Sequence, residues 1–124
     1  MEEIPEEKAA CLEKVGEFIR VTDALREADI EFIPLKGPIL SYRLYGDPSV
    51  RYFHDLDILI APTETGHAKT VLENNGYVST ERVWPEDENS QKRLLKYHHD
   101  IIFIHQVKQI KVELHWRLRR RQGL

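Results

Sequence analysis

The chain has one cysteine, Cys11, so an intrachain disulfide is excluded, and a reducing cytoplasm is the expected compartment. No apolar run approaches the length of a membrane span. The N-terminus, MEEIPEEKAA, lacks the basic start of a secretory signal peptide and is acidic instead. There is no internal repeat, no low-complexity segment and no sign of a second domain. Two common zinc signatures are also missing: no cysteine pair and no H-E-x-x-H. What remains is the composition of an ordinary soluble globular protein, 41% hydrophobic and 31% charged. Its 124 residues suffice for one domain with one core.

The net charge is only −3, but it is unevenly spread. Residues 1–17 hold six glutamates against two lysines, whereas residues 117–121, RLRRR, hold four arginines and no acid. Such a basic tail suits contact with a polyanion. It suits a solvated chain end equally well.

Periodicity divides the chain into helices and strands. Pro5 followed by two acids opens a helix expected to run to about residue 28, with Leu12, Val15, Ile19 and Leu25 at helical spacing and Phe18 and Val21 widening the apolar face. EFIPLKG is a short strand ending at Gly37. Pro38 opens a second helix, PILSYRLYG, which stops at Gly46, and the loop DPSVR follows. Residues 52–60 form a strand. A third helix opens at Pro62 and Thr63 and closes at the Asn75-Gly76 pair. YVSTERVW reads as a strand, PEDENSQKR (85–93) as a loop, and HHDIIFIH with QIKVELHW as a β-hairpin. The resulting order, αβαβαβββ, describes an α/β or α+β domain with helices flanking a mixed sheet.

The chemistry is concentrated in RYFHDLDILI, residues 51–60. Strand side chains alternate, so Asp55 and Asp57 share one face about 6–7 Å apart while Leu56, Ile58 and Ile60 enter a core. Two ionised carboxylates this close repel each other unless a cation lies between them. Oxygen ligands of this kind suit Mg²⁺ or Mn²⁺. In KVELHW, Val112, Leu114 and Trp116 share one face, and Lys111, Glu113 and His115 the other. If the two strands are neighbours, Glu113 completes a three-carboxylate cluster able to hold two divalent ions. The plainer reading places these acids on a solvated sheet face, paired with Lys111 or Arg51. Similarly, PLKG (34–37) is either a simple strand-to-helix turn or a phosphate cradle. In a cradle, the backbone N–H groups, the close approach allowed by Gly37 and the charge of Lys36 would act together. His98, His99, His105 and His115 lie on or beside the hairpin; four histidines on a polar face are more often exposed or hydrogen-bonded than zinc ligands. His115 can orient a carboxylate or a substrate.

The ordered set LKG, DLDIL and VELHW resembles the polymerase-β-type nucleotidyltransferase superfamily, and within it a large bacterial branch of uncharacterised members. The likeness covers about residues 25–118. It implies that Asp55 and Asp57 are the metal-binding pair, that Glu113 is the third acid, and that Gly37 is the glycine of the phosphate turn. Pro38 follows Gly37 where the superfamily usually has serine, which leaves Lys36 and Arg51 to contact phosphate. The implied reaction is attack of an acceptor hydroxyl on the α-phosphate of a nucleoside triphosphate, with Mg²⁺ (or Mn²⁺) assisting and pyrophosphate leaving. The alternatives are a non-catalytic nucleotide-binding or protein-interaction member of the same fold, such as a toxin–antitoxin type module. Branch members generally continue with a helical region after the third acid, so a truncated domain is expected, with self-association through the apolar surface such a region would cover. That surface is expected to include Trp116 and Leu118, which find few partners within one copy.

Overall fold

A computed structural model describes the backbone of residues 6–36 and 55–117 and the side chains of 12–35 and 56–117. The helix read at 38–46, the DPSVR loop and most of the RLRRR tail fall outside these residues. In chain order the described elements are α1 (Glu6–Glu27), β1 (Phe32–Lys36), β2 (Asp55–Ile60), a 3₁₀ turn (Pro62–Glu64), α2 (Thr65–Asn74), β3 (Tyr77–Ser79), α3 (Glu88–Tyr97), β4 (Asp100–His105) and β5 (Lys111–His115). The strands form one mixed sheet in the order β1-β2-β5-β4-β3. The β2–β5 pair is parallel and the others are antiparallel. No described helix is long and apolar enough to cross a membrane.

The core lies against one face of this sheet. Leu56, Ile58 and Ile60 of β2, Val112 and Leu114 of β5, and Ile101 and Phe103 of β4 project into it, joined by Phe18, Val21 and Leu25 of α1 and Ala68 and Leu72 of α2. The α1 stripe is rotated from the expected one. Leu12 and Ile19 are exposed, and the buried face runs through Glu17, Phe18, Val21, Thr22 and Leu25. Apolar spacing finds Phe18, Val21 and Leu25 of this stripe and misses Glu17 and Thr22, which are polar. Thr22 satisfies its hydroxyl by donating to the Ile19 carbonyl at 3.0 Å.

Glu17 is satisfied by three groups from separate parts of the chain. Arg20 pairs with it within α1, Tyr77 Oη donates to it at 2.9 Å, and Lys108 Nζ reaches it at 2.7 Å from the β4–β5 turn. Burial would raise this carboxyl, but the hydrogen bonds from Arg20, Lys108 and Tyr77 prevail and lower it from 4.5 to about 2.

Backbone geometry explains the element boundaries. Asp29 adopts φ 59° and the Ile30 N–H returns to the Leu25 carbonyl at 3.0 Å, closing α1 with a left-handed residue. The α2 helix ends at Asn75 and Gly76, as expected from the sequence. Gly76 has φ 93°, and a Cβ there would lie 2.7 Å from His105 Nε2. His105 is itself fixed, since its Nδ1 accepts the Val107 and Lys108 N–H groups at 3.2 and 3.0 Å. Gly76→Ala is therefore expected to cost about 1–3 kcal/mol, from left-handed strain together with displacement of the imidazole. Urea unfolding of the two proteins measures the difference.

Two segments differ from expectation. The strand at 77–84 stops at Ser79. The polar stretch read as a loop at 85–93 instead leads into α3, so a helix separates β3 from β4 and the order αβαβαβββ is corrected there. Asp87 accepts the Ser90 N–H at 2.8 Å as an N-cap, Leu94 provides the buried contact, and the remaining residues are adequate helix formers despite their polarity. Trp116 is also better housed than expected. It is buried, and its Nε1 donates to the carbonyls of Leu95 and His98 at the C-terminal end of α3.

Candidate active site

The sheet face opposite the core carries the polar cluster. β2 and β5 run parallel in a register that sets Asp57 beside Glu113 and Leu59 beside His115. Antiparallel pairing of β4 with β5 sets Asp100 beside His115 and Ile102 beside Glu113. Three strands thus bring three carboxylates to one face, and the alternation that buries Leu56, Ile58, Val112 and Leu114 holds them there.

Asp57 is 2% exposed and Asp100 8%, values that a carboxylate reaches only with partners. His115 Nε2 stands 3.1 Å from Asp57 Oδ1 and 3.6 Å from Glu113 Oε2. An ionised carboxylate only accepts hydrogen bonds, so the ring nitrogen donates in the bond to Asp57. Burial, hydrogen bonds shared with Asp100 and Asp57, and the charges of both push the Glu113 carboxyl up to about 9. Asp100 moves the other way. Burial opposes its ionisation, but the bond with Glu113, the neighbouring His99 and His115, and Arg82 hold it below the usual carboxylate range. The cluster thus favours the neutral form of Glu113 and the ionised form of Asp100.

Asp57, Glu113 and His115 each offer a ligand atom, all within 4.8 Å of one another. Two carboxylates and one imidazole, largely withdrawn from water, form a donor set that fits a divalent cation.

The other residues singled out in the sequence are placed less completely. Asp55 lies opposite Lys111 in the β2–β5 register, and its side chain is outside the described residues. Lys36 pairs through its backbone with Asp57 across a register shift in β1–β2, so the end of β1 adjoins the cluster; the Lys36 side chain is outside the described residues. Gly37 and Arg51 lie beyond the described backbone. Sequence reasoning missed Asp100 and Arg82; His99 was among the histidines it weighed as ligands and set aside. The signal available was an acid at the start of an apolar strand, on the parity of Ile102 and Ile104. Arg82 Nη1 donates to Asp100 Oδ1 at 3.1 Å and to its main-chain oxygen at 2.7 Å.

A mixed five-stranded sheet flanked by helices, with an acidic cluster on its central strands, defines a nucleotidyltransferase-like domain. The family model described as uncharacterised nucleotidyltransferase matches residues 6–123, and the chain belongs to that family. No curated protein matches the chain significantly.

Proposed function

We propose that the protein transfers a nucleoside monophosphate from a nucleoside triphosphate to an acceptor hydroxyl, with pyrophosphate leaving, in the manner of polymerase-β-type enzymes. The observation that carries this reading is the registered pairing of Asp57 with Glu113, with His115 in reach of both. Asp57 and Glu113, with Asp55 of β2, would hold Mg²⁺ or Mn²⁺. Bound there, the ion would supply charge neutralisation at the reacting phosphate and activation of the attacking hydroxyl. Lys36 and the backbone at Gly37 take the β- and γ-phosphates, and Arg51 adds a second phosphate contact. His115 fixes the orientation of Asp57. Pyrophosphate release with each nucleoside triphosphate across candidate acceptor hydroxyls tests the reaction. Release that persists unchanged in Asp57→Asn would refute this assignment of the site.

The proton on Glu113 gives a second test. A cation binding this carboxylate displaces the proton, so apparent Mn²⁺ affinity is expected to rise about tenfold per pH unit up to about pH 9. The sign follows from the raised value: below it the proton competes with the ion, and above it the carboxylate is already free. Calorimetry in buffers of different ionisation enthalpy counts the released proton. Glu113→Gln flattens the pH dependence as well as weakening binding.

A further inference from the structure

Beside the carboxylate cluster stands a second group of potential ligands, His99, Asp100 and His115, with one donor atom each within 4.8 Å of the others. The rings of His99 and His115 stack nearly parallel, at 10° and 6.3 Å between centroids. His99 Nδ1 is screened from solvent, and among the described residues it has no hydrogen-bond partner. Asp100 Oδ1 stands 3.6 Å from it. Metal–ligand bonds of about 2.1 Å at a tetrahedral angle separate ligand atoms by about 3.4 Å, so this pair is already spaced for a shared ion. A buried imidazole nitrogen without a partner is costly, and a cation would relieve that cost.

The backbone holds these ligands firmly. Asp100 and His115 are partners in the β4–β5 register, and the Trp116 N–H donates to the His99 carbonyl at 3.1 Å, extending the same ladder by one residue. Arg82 donates to the Asp100 main chain as well as to its carboxylate, so it remains anchored whichever carboxylate oxygen an ion takes. The donor chemistry differs from that of the neighbouring cluster. Two imidazoles and one carboxylate suit Zn²⁺ and related transition ions, whereas Mg²⁺ prefers an all-oxygen shell. Three protein ligands also leave a coordination position for water or a substrate oxygen.

We propose that His99, Asp100 and His115 form a metal site for a Zn²⁺-class ion, adjacent to the carboxylate pair and sharing His115 with it. The site does not depend on the transfer reaction, and the two readings fail separately. The test is calorimetric titration of the full chain with Zn²⁺ and, separately, with Mn²⁺, together with the visible spectrum of the Co²⁺-loaded protein. His99→Gln is expected to weaken Zn²⁺ at least about tenfold and to alter the Co²⁺ bands, while Mn²⁺ affinity stays within about threefold. Arg82→Gln, which frees an Asp100 oxygen and removes a positive charge, is expected to tighten Zn²⁺. Circular dichroism checks the fold of both variants. Zn²⁺ binding without detectable Mn²⁺ binding would support this site while removing the basis of the transfer reading. An absence of Zn²⁺ binding, or equal Zn²⁺ affinity in wild type and His99→Gln, would overturn the proposal.

Discussion

Asp57→Asn is expected to lower Mn²⁺ affinity at least about tenfold and nucleotidyl transfer by about two orders of magnitude or more. The substitution keeps the shape of the side chain and removes its charge, so the loss would be electrostatic. Asp57 sits at 2% exposure on β2, in register with Glu113 of β5, so bulk water cannot make up for the missing charge. The hydrogen bond from His115 can be kept, since the amide Oδ1 still accepts from the ring nitrogen. Titration with Mn²⁺ and a pyrophosphate assay at saturating metal separate the two effects. Weaker metal binding with full transfer at high Mn²⁺ would assign Asp57 to ion capture alone.

The second large effect concerns stability in acid. Glu17 is held from 4.5 down to about 2 by Arg20, Lys108 and Tyr77 against the opposing effect of burial. A carboxyl so depressed contributes about 3 kcal/mol while it is ionised in both folded and unfolded states. The contribution is present above the unfolded value near 4.5 and disappears as pH falls from there through about 2. Glu17→Gln is therefore expected to cost about 2–3 kcal/mol at pH 7, roughly a 10 °C fall in Tm for a domain of this size. It should also flatten the stability profile between about pH 4.5 and pH 2. Thermal melts of both proteins across that window measure the difference. Parallel profiles would show that the Glu17 cluster contributes no net charge energy.

The strand faces were legible because a period of two is hard to mistake. Leu56, Ile58, Val112 and Leu114 went to the core, and that alternation alone brought Asp57 and Glu113 to the same face. Their register was not legible, since nothing local in DLDIL or VELHW specifies that residue 57 meets residue 113. The α1 stripe was legible only in Phe18, Val21 and Leu25, because Glu17 and Thr22 also belong to the buried side, and the burial of Glu17 depends on partners as remote as Tyr77 and Lys108. The helix at Glu88–Tyr97 was hidden for a related reason. Its first residues, 88–93, are all polar, and the signals for it are a single capping aspartate and the apolar pair Leu94 and Leu95 near its end. Asp100 drew no reading of its own within HHDIIFIH, and its role appears only when β4 is laid against His115.

The place of the cluster in the sheet has a kinetic consequence. β2 and β5 are flanked on both sides by other strands, and among the described residues the edges are β1 and β3. His115 and Asp57 are 58 residues apart in sequence, so their meeting requires closure of a long loop, whereas β4 and β5 join through a short turn. The hairpin, carrying Asp100 and Glu113, is expected to form early and to wait for β2, so all three acids are assembled only when Asp57 arrives and the sheet is completed. Amide hydrogens of Leu56, Ile58, Val112 and Leu114 should then exchange with deuterium only through global unfolding, while those of β3 exchange through local fraying. A chain able to gather its acidic residues is, by that ordering, one that has already finished folding.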